Sequence, residues 1–373
     1  MNKVCVYAIA KNESKFVDRW FNSMQAADKI IVLDTGSEDD TVSRLRSHGV
    51  EVHETKYEHF RFDVARNDCL DLIPDEYNIR VSIDLDEIFK PDNWVEIVKE
   101  NWDENNPRIV YNYVWRHSPD GTPQLQYHIN KIHGCDPHLR WLGAVHEHLG
   151  DIRTGDLNIP KFIDLTKKLC VHHYPDPEKD RQFYKDLSVE RLKENPNDFQ
   201  SLLLYGNEER IKGDIHKAIA AYEKVLNECG DDCDILVKAG TCYYLGGCYQ
   251  KIGEGVKSLS YFSLGLGWNK RYRDNYYGLG VLYYTNGLYD AAIGILEEGL
   301  NTSERFYFWM EDNLIWTWPM YDLLGKAYAA KENYQKAIGN ALKAFSFEPS
   351  NENLLKTFNK YKVQLIEEEV VSG

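Results

Sequence analysis

The feature that most constrains this chain is a change of period near residue 198. Up to about Asn112, short apolar runs alternate with amphipathic ones. Beyond residue 198 strand signals nearly vanish, and small residues recur at the spacing of helical hairpins. At 373 residues the chain exceeds one ordinary domain, so the two regimes read as separate folding units.

In the first regime Val4–Ala10, Lys29–Asp34, Val50–Glu54 and Arg80–Asp84 read as strands. Glu13–Ala27, Asp39–His48 and Asp63–Leu72 read as helices, the first with Phe16, Trp20, Phe21 and Met24 on one face. Strands and helices alternating at this spacing imply parallel pairing through right-handed crossovers, hence a Rossmann-like α/β sheet. Such sheets bind ligands beyond the carboxyl ends of their strands. Asn12, Asp34 and Asp84 fall at those ends, and Ser37 and Asp39 read as caps of the helix that follows. From Ile109 to His173 the pattern becomes short strands with polar turns such as Ser118-Pro119-Asp120-Gly121. Arg181–Leu192 then reads as a linking helix, closed by Asn195-Pro196-Asn197-Asp198.

Asp84-Leu85-Asp86 places two carboxylates two residues apart where a strand meets solvent. They repel unless a cation lies between them, and a divalent metal so held can bind the diphosphate of an activated substrate. Taken alone, the triplet is equally a solvated acidic strand end.

Composition narrows the classes. Hydrophobic content of 43% and nine Trp supply real cores, which excludes a disordered chain. A formal net charge of −15 argues against nucleic-acid backbone binding. No apolar run reaches the roughly 18 to 20 residues that cross a bilayer. Val4–Ala10 is too short and too early for a secretory signal. Eight cysteines without a Cys-x-x-Cys pair read as reduced thiols of a cytoplasmic protein.

In the second regime, Leu204-Tyr205-Gly206 and Lys217-Ala218-Ile219 begin a pattern that returns at Tyr277-Gly278-Leu279-Gly280 and at Leu324-Gly325-Lys326-Ala327-Tyr328. Gly206 and Gly240 stand 34 residues apart. This region resembles tetratricopeptide repeats, with three clear units and a distorted one around Ile235–Leu266. Such repeats bind extended peptide in a groove. The plainer alternative is that they brace the first half and pair subunits into a homodimer. Phe306-Tyr307-Phe308-Trp309 and Trp316-Thr317-Trp318-Pro319 interrupt the repeats, to line the groove, make a dimer contact or fill a gap.

Four ordered motifs in the first half resemble family-2 glycosyltransferases of the GT-A fold. They are Ala8-Ile9-Ala10-Lys11-Asn12-Glu13, then Asp34-Thr35-Gly36-Ser37-Glu38-Asp39-Asp40-Thr41 behind Ile31-Val32-Leu33. Phe62-Asp63-Val64-Ala65-Arg66-Asn67 and Ile83-Asp84-Leu85-Asp86 follow. The resemblance implies a nucleotide-sugar pocket from Ala10, Asn12, Glu13, Asp34, Arg66, Asp84 and, more remotely, Lys131. Asp34 would accept from a base ring N–H, or merely close an Asx turn. Arg66 would pair with Asp34, Asp84 or a phosphate. Asp86, with Asp84, would hold Mn2+ or Mg2+, and His146 or His173 would complete the shell. Members with helical tails carry a Gly-x-Val-His-Glu like Gly143-Ala144-Val145-His146-Glu147, which makes Glu147 the general base, or else a partner in an ion pair.

The resulting expectation is a GT-A domain over 1–175, a linking helix over 176–198 and a tetratricopeptide-like domain over 199–373. The activity implied is metal-dependent, inverting transfer of one sugar from a UDP-linked or related donor. The acceptor implied is a peptide or protein side chain, as in the bacteriocin peptide S-glycosyltransferases that most of the chain resembles, specifically so only in its first half. A glycan or lipopolysaccharide acceptor, or a scaffold with a decayed transferase domain, are the competing readings.

Overall fold

The computed structural model describes residues 2–118, 121–145, 147–153, 162–177, 182–196, 198–230, 233–303, 305–307 and 310–372. The chain divides into two compact units, Met1–Pro196 and Asn197–Gly373.

The first unit is built on a parallel half-sheet. Its strands β1 (Val4–Ala10), β2 (Lys29–Asp34), β3 (Glu51–Glu54) and β4 (Ile79–Ser82) alternate with α1 (Val17–Met24), α2 (Thr41–Ser47) and α3 (Phe62–Asp71). They pair in the order β3-β2-β1-β4, all parallel. β1 is central and almost wholly buried, as expected of a parallel strand covered on both faces. On one face Trp20 and Met24 of α1 pack with Val4, Val6 and Ala8. On the other, Cys69 and Leu70 of α3 pack with Cys5, Tyr7, Trp141 and Leu149. Each large side chain buried this way contributes about 1.5–3 kcal/mol.

The rest of the sheet is mixed. β5 (Glu87–Lys90) is followed by α4 (Trp94–Asn101) and by the long hairpin β6 (Arg108–His117) and β7 (Pro123–Gly134). β7 is antiparallel to both β4 and β6. β11 (Cys170–His173) runs parallel to β6 and antiparallel to β5, and β10 (Ile163–Asp164) also pairs with β6. β8 (Leu139–Leu142) and β9 (His148–Asp151) form a separate ribbon. Two residues of the polar turn at 118–121, Pro119 and Asp120, lie outside the described residues. A helix does follow, α5 (Gln182–Glu194).

Local readings changed in two places. α1 begins at Val17 rather than Glu13, because Glu13–Phe16 is a turn closed by the Phe16 amide on the Glu13 carbonyl at 2.9 Å. Asp40 holds the N-cap position of α2 but makes no side-chain capping bond; the Asp39 carboxylate instead accepts from the Thr41 amide of the first turn at 3.0 Å, while Ser37 turns back to Asp34.

The second unit is all helix. The pairs are α6 (Phe199–Lys212) with α7 (Ile215–Glu228), α8 (Ile235–Lys251) with α9 (Gly255–Trp268), α10 (Arg273–Thr285) with α11 (Tyr289–Leu300), and α12 (Trp318–Ala330) with α13 (Tyr334–Phe347). α14 (Glu352–Ser372) follows. Small residues permit the close packing: a Cβ on Gly278 would come within 2.3 Å of the Phe262 ring, and one on Gly246 within 2.7 Å. The pair at Ile235–Leu266 is a regular hairpin. The irregularity lies instead in the connection from α11 to α12, where Trp316 stacks under Arg273 at 3.7 Å and Phe306 under Arg271 at 5.5 Å. Phe308 and Trp309 lie outside the described residues. No helix among those described is long and apolar enough to cross a membrane.

Candidate active site

The site grows from α3. Along this helix Asp63, Arg66 and Asn67 each grip the ribbon or the loop that follows it. Asn67 exchanges two hydrogen bonds of 2.9 Å with the backbone of Trp141. The Asp63 carboxylate accepts from the Gly143 amide at 3.1 Å, and the Phe62 amide donates to the Ala144 carbonyl at 3.0 Å. Gly143 turns the chain at φ +106°, a conformation that glycine alone adopts freely. Arg191 of α5 lies against its bare Cα and donates to the Val145 carbonyl at 3.0 Å. This loop carries Glu147.

Arg66 is 3% exposed and holds three elements together. Its Nε donates to Glu147 Oε1, one Nη to Ser82 Oγ at 3.2 Å, and the other to both oxygens of Asp84 at 2.8 and 3.0 Å. The guanidinium also stacks on the Trp141 ring at 5.0 Å. Lys131 of β7 approaches Asp84 Oδ2 and Glu87 Oε1, each at 3.4 Å. Burial opposes the charge on Asp84, but Arg66 and Lys131 outweigh it and hold this carboxyl well below the usual range.

Glu87 belongs to the site although no sequence pattern singled it out. Its Oε2 accepts from the Asp84 amide at 3.0 Å, and Tyr113 donates to its Oε1 at 2.6 Å. Burial, with the charges of Asp84 and Asp86, pushes its carboxyl upward. A third acid directly after Asp86 was the one available signal.

Asp86 faces His173, with Oδ2 and Nε2 3.2 Å apart. The Tyr174 amide donates to the Asp86 carbonyl at 2.8 Å, which ties the end of β11 to the loop. His173 Nδ1 lies 3.2 Å from the Trp115 carbonyl, which can only accept, so Nδ1 carries the proton. The ring stacks on Trp115 at 4.4 Å. Burial lowers the His173 pKa, but Asp86 more than compensates and leaves it raised.

The remaining expected residues lie at the ends of β1 and β2. Asp34 is 1% exposed and closes its own turn, taking the Gly36 and Ser37 amides at 3.0 and 2.8 Å. The Ala10 carbonyl accepts from the Thr35 amide at 2.8 Å. Asn12 adopts φ +55°, with its side chain accepting from the Glu38 amide at 2.8 Å. The Glu13 amide donates to Thr41 Oγ1 at 2.8 Å. The structure thus joins Arg66, Asp84, Lys131 and Glu147 directly and sets Asp86 with His173. Asn12 and Asp34 share a separate cluster through Ser37. His146 lies outside the described residues.

Among the described residues no three His, Cys, Asp or Glu are arranged to hold a metal. Two donors are nonetheless suited to one. His173 offers Nε2 with its other nitrogen fixed by a carbonyl, as metal-ligating imidazoles are. The charges agree as well: the carboxylates of Asp84, Asp86, Glu87 and Glu147 meet two permanent cations, Arg66 and Lys131, leaving an excess for a divalent ion. Mg2+ and similar ions need few protein ligands when substrate phosphates supply the rest.

Residues 5–151 match the family model described as glycosyl transferase family 2. No protein of curated function matches the chain. Among solved structures, the chain is similar to MamA, with 24% identity over 48% of this chain and 97% of that one, at a TM-score of 0.37. It is also similar to TTC0263, a thermophilic TPR protein in Thermus thermophilus, with 19% identity, 48% and 88% coverage and a TM-score of 0.37. YrrB, a TPR protein with an unusual peptide-binding site, gives 18% identity, 47% and 81% coverage and a TM-score of 0.36. At that distance the likenesses say nothing of ligand or partner. The match to glycosyl transferase family 2 thus falls on the motif-bearing sheet domain, and a unit of paired helices follows that sheet.

Proposed function

We propose that the protein moves one sugar from a nucleoside-diphosphate sugar, UDP-linked, to a side chain of a peptide or protein, inverting the anomeric centre. One observation carries the proposal: within a family-2 domain, the Glu147–Arg66–Asp84 ion-pair chain stands in the same loop system as the Asp86–His173 pair. Asp86 and His173 would hold Mn2+ or Mg2+, whose charge stabilises the departing nucleoside diphosphate.

The chain's own groups do the rest. Asn12, Glu13 and Asp34 wall the nucleoside end, and Lys131 adds a compact positive charge near the diphosphate. Asp84, held by two cations, orients the ribose end. Arg66 fixes Glu147 through Oε1, so that Oε2 takes the proton from the attacking acceptor atom. Attack opposite the leaving diphosphate inverts the configuration. The helical unit supports a polypeptide acceptor, because stacked helix pairs offer long binding surfaces.

The test is a screen of donor hydrolysis over common nucleotide sugars with and without Mn2+, followed by intact-mass analysis of peptide acceptors. Hydrolysis of one UDP-sugar that needs Mn2+ and is lost in Asp86→Ala supports the reading. Undiminished activity of a folded Asp86→Ala protein sinks the metal assignment, and transfer to glycans alone sinks the acceptor.

A further inference from the structure

The helical unit contains a cavity of about 640 Å³ between the end of α7, the first turns of α8 and the end of α9. That is the size of a site for a small organic ligand. Its lining includes an acid, Glu223, and a base, Lys238, together with Leu226, Tyr261, Leu264 and Trp268. Packing between the helices accounts for neither charge.

Lys238 is only 5% exposed, yet its ammonium makes no hydrogen bond and no ion pair among the described residues. Its Nζ sits 4.4 Å from the centre of the Trp268 ring. The ring face attracts the cation but takes no ordinary hydrogen bond from its three N–H donors. A buried ammonium without a counter-ion calls for an anion.

Glu223 stands on the α7 wall of the same cavity. The hydroxyls of Tyr249 and Tyr261 both donate to its Oε1, at 2.5 and 3.2 Å. These bonds fix the carboxylate without neutralising it. No ion pair joins Glu223 to Lys238 among the described residues, so an acid and a base share one cavity without meeting. A ligand that bridges them carries an anion at one end and a cation at the other. Leu264 and Trp268 are 45% and 40% exposed, and they offer apolar walls for such a ligand to cover.

We propose that this cavity binds a short apolar peptide with both termini free. The peptide carboxylate lies on Lys238, the peptide ammonium on Glu223, and an apolar side chain against Leu264 and Trp268. A single amino acid carries the same two charges, but it fills a small part of the volume and holds both charges on a single carbon. The site lies within Asn197–Gly373 and uses none of the groups of the sheet domain, so it stands or falls independently of the transferase reading.

The experiment titrates the full chain calorimetrically with dileucine, N-acetyl-dileucine, dileucine amide and free leucine. Dileucine should bind, and each of the other three should bind at least about tenfold more weakly. Lys238→Met should make dileucine and its amide bind alike, while Lys238→Arg should keep the preference for the free carboxylate. Glu223→Gln should make dileucine and its N-acetyl form bind alike. Each variant is read by comparing two ligands on one protein, so a general weakening of the fold does not mimic the result. Absence of dileucine binding to the parent, or a Lys238→Met protein that still prefers the free carboxylate, would overturn the proposal. So would a Glu223→Gln protein that still prefers the free ammonium, and leucine binding as tightly as dileucine would overturn the assignment to a peptide.

Discussion

Arg66 is the residue at which stability and chemistry meet. Its planar fork reaches two carboxylates and a hydroxyl from one buried position, which a lysine cannot do. Arg66→Leu leaves Glu147 without its cation and Asp84 with Lys131 alone, at a cost of about 3 kcal/mol or more. Urea unfolding should show that loss, and Arg66→Lys should recover only part of it. Glu147→Gln separates the two roles, since the amide oxygen still accepts from Arg66 but no longer takes a proton. Donor affinity should persist while turnover falls by about 10² or more. Turnover within a few-fold of the parent would remove Glu147 as base.

His133 gives a pH prediction. It accepts from the Tyr7 hydroxyl at Nε2, 2.8 Å away, and donates from Nδ1 to the Gly134 carbonyl at 2.9 Å, so it is neutral. Burial lowers its pKa from 6.5 to about 3. The unfolded chain therefore binds this proton first, and stability present above about pH 6.5 is lost as pH falls toward 3, by roughly a few kcal/mol. Urea midpoints at pH 7 and 4.5 should differ less for His133→Gln than for the parent. Equal differences would assign the acid sensitivity elsewhere.

At the scale of elements, the loop before Glu147 is held by its neighbours rather than by its own hydrogen bonds. A Cβ on Gly143 would lie 2.0 Å from Arg191 Nη1 and would strain a backbone at φ +106°. Gly143→Ala should cost of order 1–3 kcal/mol and depress transfer more than donor binding, as read by thermal unfolding and steady-state kinetics. Much of this scale was legible in the residues. β1 and the middle of β2 read as unbroken apolar runs because both faces are covered, and Asp63, Arg66 and Asn67 recur at the spacing of one helix face. What escaped depends on partners distant in sequence. The register of β5 on β11 is set by pairing Glu87 with His173, some eighty residues on, and no local pattern encodes it. Glu87 looked like any acid beside Asp86, and its burial under Tyr113 is a tertiary fact. Ser37 could cap a helix or serve Asp34, and only the geometry of the turn decides between these short-range bonds.

At the scale of the molecule, the two units have separate cores. Trp20, Trp94 and Ile132 belong to the first, and Leu296, Met320 and Tyr361 to the second. All of the ion pairs of the candidate active site lie within Met1–Pro196. Because the first unit has its own core and all of these pairs, a fragment of residues 1–196 should fold and hydrolyse donor at a rate near that of the full chain. Its transfer to a peptide acceptor should fall at least about tenfold, because the surface that gathers the polypeptide would be lost while the chemical groups remain. Adding back residues 197–373 as a separate chain should restore little, since tethering supplies an effective concentration that mixing does not. Full peptide transfer by the short fragment would confine the acceptor site to the sheet domain and leave the helices a role in bracing or pairing.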